Sequence, residues 1–290
     1  MVKFVITASL EPSSTTGVCR RALAFGKAPA AGAKTEVKRT AINGLPKGRR
    51  IRNSGKRGRS PLVPQIHCAP LTLACWALPV KWKRKVVAGA MDWPGLDRWA
   101  TSEDDAIEKL RSYVPRYAGV AERADMSRAF ARARDVAVVE RVPGSSSTDF
   151  WGVAHVPSEV EREVLSTTDL ERRLDLLRAT WAYFDDVAAR VRGELRPGSR
   201  SGGRTRDQIV HHVYATEPDQ FSRKVEVRTP IDVVLTPDGL ATHRREYLDA
   251  IRAYNADAKP ARTWPIQFLV RRTAHHVMDH AWEMEDRDPS

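Results

Sequence analysis

Residues 167–195 read TTDLERRLDLLRATWAYFDDVAARVRGEL, with Leu170, Leu174, Leu177, Trp181, Phe184 and Val187 three or four residues apart. That spacing places all six on one stripe of an α-helix and leaves charged residues for the other faces. A stripe of this length is stable only when it is buried against other apolar faces. Three more segments of the same kind follow, at 204–224, 240–258 and 266–287, separated by RPGSRSGG, by an extended stretch around VRTPIDVVLTPDG and by KPARTWP. Thr168 can cap the first of them. Four amphipathic helices with a long middle connection predict a four-helix bundle over 166–288.

Upstream the pattern changes. RKVVAGA is a strand-like apolar run and Trp93-Pro94-Gly95 is a turn. Thr101 and Ser102, with Asp104 and Asp105 three residues on, form a capping signature. Ile107, Leu110, Val114 and Tyr117 then recur at helical spacing, and DVAVVERVPG (135–144) reads as a second strand. This predicts a small α+β domain over 83–150. Its DWPGLDRWATSEDDAIEKL portion resembles HicB-like small domains over about residues 86–118. The expected fold class is therefore mainly α: a C-terminal four-helix bundle preceded by a small α+β domain.

Residues 1–82 lack sustained periodicity, and their Gly, Pro, Ser and basic content predicts a disordered arm. Charge is concentrated there: residues 1–85 hold 18 Lys and Arg against Glu11 and Glu36 only, a net +16, whereas 86–290 hold 30 against 34, a net −4. Nucleic acid is thus expected to bind, if at all, through the arm. Cys19, Cys68 and Cys75 contain no CxxC pair, which points to reduced thiols rather than a zinc ribbon or disulfide framework. No apolar run reaches the ~18 residues of a membrane span, and the start is a poor signal peptide. A cytoplasmic location with no membrane partner is expected.

Six of the eight histidines lie in the last 80 residues. At 100° per residue, His276 and His280 are about 40° apart, in a sector shared with Leu269 and Thr273. His275 points about 100° away, toward Phe268 and Trp282. His212 lies beside Ile209 and Val213, while His211 turns toward Asp207. Three interior imidazoles on two helices can share a metal, since three His and one open position form a catalytic type of zinc site. The same set suits Ni or Fe. Alternatively the imidazoles bond carboxylates such as Glu217 or Glu283. HVMDH (276–280) is also similar to the His-x-x-Glu-His helix of inverted zinc proteases, with Asp279 in place of Glu, but that class takes its third ligand downstream, where only ten residues remain.

GRTRDQIVHHVYATE and RRTAHHVMDHAWEMEDR, some 60 residues apart, resemble the DinB-like (YfiT-like) metalloenzyme family over about residues 166–287. The resemblance implies a four-helix bundle with metal ligands at His212, His276 and His280, the doubled histidines leaving a one-position ambiguity. It implies a divalent metal (Zn, Ni or Fe), a low-molecular-weight thiol and a small-molecule substrate. The reaction would be that of an S-transferase, isomerase or hydrolase, with no catalytic side chain assigned. Glu217 and Glu283 would orient imidazoles. The competing expectation is a non-enzymatic nucleic-acid-binding or regulatory protein whose bundle forms a homodimer.

Overall fold

A computed structural model of the chain describes residues 2–8, 84–133, 136–198 and 203–290. The fold is mainly helical with one small sheet. Four strands, β1 (Val2–Ala8), β2 (Val86–Ala90), β3 (Asp97–Ala100) and β4 (Val136–Pro143), lie in the order β3-β2-β1-β4. β1 runs antiparallel to β2 and parallel to β4, and β2 is antiparallel to β3. The turn between β2 and β3 closes on Ala90 N–H donating to Leu96 O, and Gly95 adopts the positive φ (96°) that the turn requires.

β1 corrects the expectation for residues 1–82. Residues 2–8 are an inner strand of the sheet, paired on both edges, and not part of an arm. Their run VKFVITA satisfies its backbone only through partners at 86–90 and 136–143, so a local pattern cannot announce it. Residues 9–83, with the rest of the expected arm and all three cysteines, lie outside the described residues.

α1 (Glu103–Arg123) starts where expected, with Ser102 Oγ accepting from Asp105 N–H at 3.1 Å, and it buries Ala106, Leu110, Tyr117, Val120 and Ala121. Two short helices, α2 (Ser127–Arg132) and α3 (Ser146–Trp151), flank β4. α4 (Thr167–Arg190) is capped by Ser166 rather than Thr168. α5 (Arg206–Thr216) opens on a capping box between Thr205 and Gln208. The segment expected to be helical to 224 instead changes type after Thr216: a π turn (Glu217–Phe221) carrying Pro218, then a 3-10 turn (Ser222–Val225). The extended connection holds one helical turn, α6 (Ile231–Val234), before α7 (Pro237–Ala256) and α8 (Ile266–Arg287).

α4, α5, α7 and α8 share one apolar core, with Leu174, Phe184, Ile209, Tyr247, Ile251 and Leu269 fully buried in it. A second core joins Trp93, Leu96, Leu110 and Tyr117 of the α+β part to Leu176 and Ala179 of α4 and Met278 and Trp282 of α8. α8 is therefore covered on two sides, and the second core is common to the α+β and helical parts.

Arg271 stitches these parts together. It donates from Nη1 to Asp97 Oδ1 (2.6 Å) and from Nε and Nη2 to the two Glu161 oxygens (2.7 and 3.1 Å). All three side chains are buried. Burial alone would raise the Glu161 carboxyl, but Arg271 and the bonds from Ser158 hold it below its usual range. Breaking a buried ion pair from one side strands the remaining charges. Arg271→Met is expected to cost about 3–5 kcal/mol in urea unfolding; a loss below about 1 kcal/mol would show the triad to be energetically idle.

Candidate metal centre

The capping box at Thr205 fixes the register of α5. Ile209, Val213 and Thr216 then face the core, His212 sits at its edge and His211 is exposed. On α8, His276 and His280 lie on the same side at i, i+4. The three rings meet: their centroids are 5.2 Å (His212–His276), 4.9 Å (His212–His280) and 4.9 Å (His276–His280) apart. One nitrogen from each lies within 4.8 Å of the others, so among the described residues this group could hold a metal ion. His212 Nε2 and His276 Nε2 are 3.3 Å apart. Two nitrogens bound at ~2.05 Å on a tetrahedral ion would be separated by about 3.3 Å, so this edge already has the size of a coordination edge.

The Nδ1 atoms of His280 and His212 are held from outside. Glu283 Oε2 is 2.8 Å from His280 Nδ1, and Glu283 Oε1 accepts from Arg287 at 2.7 Å. Thr216 Oγ1 lies 3.4 Å from His212 Nδ1. Both contacts engage Nδ1 and leave Nε2 to point inward, the pattern by which outer groups orient metal-binding imidazoles. The Phe221 ring, 5.5 Å from His276, supplies an apolar wall.

Burial favours the neutral form of His212 and His276. Burial, then His280 and Arg204, push His212 down to about 4. Burial, with His280 and His212, pushes His276 well below its ordinary value. Neutral imidazole is the form that binds metal. Burial would raise Glu283, but its bonds to His280 and Arg287 keep its carboxyl below the usual range.

The helical-face assignment separates the doubled histidines as the structure does. His275 is buried away from the cluster, and its Nδ1 accepts from Arg272 Nη1 at 2.7 Å. Glu217 is placed differently from the expectation. It is buried beside α7, with Oε1 3.5 Å from Arg244 Nε and 3.7 Å from His243 Nε2, and burial raises its carboxyl to about 7. The π turn that begins at Glu217 is what takes it off the α5 register. His243, with Nδ1 2.8 Å from Thr229 Oγ1, had no sequence signal beyond its place in a helix. Arg271 and Arg272 did carry one: two adjacent cations inside an otherwise apolar helical stretch. A cavity of about 310 Å³ lies at the N-terminal end of α8, lined by Tyr254, Asn255, Pro265 and Ile266, and none of the three histidines lines it.

Comparison with family models, with curated proteins and with solved structures gives no match. No helix among the described residues is long and apolar enough to cross a membrane.

Proposed function

We propose that this chain is a DinB-like metalloenzyme in which His212, His276 and His280 hold one divalent ion, Zn, Ni or Fe, at the edge of a four-helix bundle. The observation that carries the reading is the meeting of three imidazoles from α5 and α8, two of them anchored through Nδ1. The four long helices around one core support the bundle. Three protein ligands leave a coordination position for water or a small molecule. Bound there, a divalent ion lowers the pKa of a coordinated water or thiol and so supplies a nucleophile near neutral pH. The chain's part is to present unprotonated nitrogens, fix ring orientation through Glu283 and Thr216, and shield one side with Phe221. The low-molecular-weight thiol, the small-molecule substrate and the transferase, isomerase or hydrolase class rest on the family resemblance. A cytoplasmic location is proposed from the cysteine pattern and the absence of a long apolar run in the sequence, and a homodimer belongs to the competing reading. The nucleic-acid reading has less support, because residues 86–290 carry a net −4.

Purified protein should carry close to one divalent ion per chain by elemental analysis. After chelation, re-addition at 100–1,000 times the dissociation constant should stabilise by about 3–4 kcal/mol, a rise of about 5–15 °C in Tm. Protein that holds no divalent ion and gains no stability from Zn, Ni or Fe would end the proposal.

A further inference from the structure

α8 carries a second polar cluster on the face next to the histidine triad. Arg272, His275 and Asp279 lie on one side of the helix at i, i+3 and i+7. Arg98 of β3 crosses over that face: its guanidinium lies 3.8 Å from the Trp282 ring and 4.1 Å from the Tyr113 ring, and its Nη1 donates to Asp279 Oδ1 at 3.0 Å. We propose that this face of α8, roofed by Arg98 and flanked by His155, binds a small oxyanion, a carboxylate or a phosphate group.

The contrast between neighbouring arginines is the starting point. Arg271 and Arg272 are both buried. Arg271 has two carboxylates, whereas among the described residues no carboxylate pairs with Arg272, whose side chain only donates to His275 Nδ1. Because arginine can only donate, His275 Nδ1 accepts and its Nε2 carries the proton. The cluster thus presents donors with few acceptors. Arg98 Nε and Nη2 and Arg272 Nε are buried donors without a hydrogen-bond partner, and His155 Nε2 is a further buried nitrogen without one. Buried donors are normally satisfied, and several orphan guanidinium N–H groups call for an acceptor.

Charge decides what kind of acceptor fits. A buried water would accept bonds but leave the charge uncompensated. Burial and then Arg271 push Arg272 down to about 10, and burial lowers Arg98 as well. Burial and then Arg272 lower His155 to about 4. An anion offsets the charge of Arg98 and Arg272 and accepts from their unpartnered N–H groups at once. Guanidinium edges match carboxylate and phosphate oxygens in geometry as well as charge. The site is reachable, since the Asp279 side chain is 52% exposed and His155 is partly exposed. The inference does not depend on the metal reading, because His275 and His276 point about 100° apart.

The test titrates sodium phosphate and sodium acetate against the full chain, with sodium chloride at matched ionic strength as control. A saturable rise in Tm of about 3–6 °C at ten times the dissociation constant is expected for at least one of the two. The stronger ligand identifies the oxyanion. Arg272→Met should abolish the response. His155→Ala, at the exposed edge, should weaken binding about tenfold while the protein stays folded. His280→Ala should leave the response intact, which separates this site from anion capture at the histidine triad. A response no larger than that of chloride, or one that survives both Arg272→Met and His155→Ala, would overturn the proposal.

Discussion

Replacing His212, His276 or His280 by alanine, one at a time, is expected to take the bound divalent ion from about one per chain to near zero. Each substitution leaves two imidazoles, and two neutral nitrogens hold a divalent ion poorly at micromolar metal. The apolar core beneath does not depend on these rings, so far-UV circular dichroism should be unchanged. The doubled histidines provide internal controls with different signatures. His211 is exposed, and His211→Ala should alter neither metal content nor stability. His275→Ala should keep the metal yet lose about 2–4 kcal/mol of stability, because it removes a buried ring and strands Arg272 Nη1. Glu283→Gln should lower affinity about 10–100-fold while stoichiometry is retained at saturating metal. Elemental analysis of each variant checks the set. Retained metal in all three triad variants, or its loss in His275→Ala alone, would relocate the site.

The triad was legible because helix geometry converts sequence spacing into direction. Once 206–216 and 266–287 are helical, the angle between His275 and His276 is fixed, and the apolar neighbours identify the inward one. The start of α1 and the span of α8 were legible locally, through a Ser cap and a long uninterrupted pattern. What failed was long-range. β1 needs partners more than 75 residues away, and its seven residues carry no turn signal to tie it to them. The position of Arg271 in an apolar stretch marks it as unusual, but its partner Asp97, 174 residues distant, is not announced by any local pattern. Glu217 was expected to orient an imidazole of the triad; the π turn that begins at Glu217 places it beside Arg244 and His243 instead. The shared core of the two parts was hidden because a helix buried on two faces, as α8 is, loses the contrast on which periodicity depends.

Those buried histidines also predict that the protein unfolds in mild acid. His155, His212 and His243 are each lowered to about 4, chiefly by burial, and His275 and His276 lie well below their ordinary value for the same first reason. In the unfolded chain each would titrate near 6.5. Below that pH the unfolded state binds more protons than the folded one, so stability is intact above about 6.5 and falls as pH drops toward about 4. One imidazole shifted from 6.5 to about 4 gives up at most about 3 kcal/mol across that window. Glu217 opposes the trend: its folded value near 7 means that it takes up a proton on acidification and offsets roughly one histidine. Four histidines remain against a total stability of about 5–15 kcal/mol for a folded domain. The unfolding midpoint is therefore expected between about pH 4 and 6, read by tryptophan fluorescence at constant ionic strength. His155→Gln removes one of these protonation sites and should move the midpoint to lower pH. Saturating Zn should do the same, because bound metal holds His212 and His276 unprotonated. Stability that stays flat from pH 7 to pH 4.5 would show that these imidazoles are not held neutral by the fold.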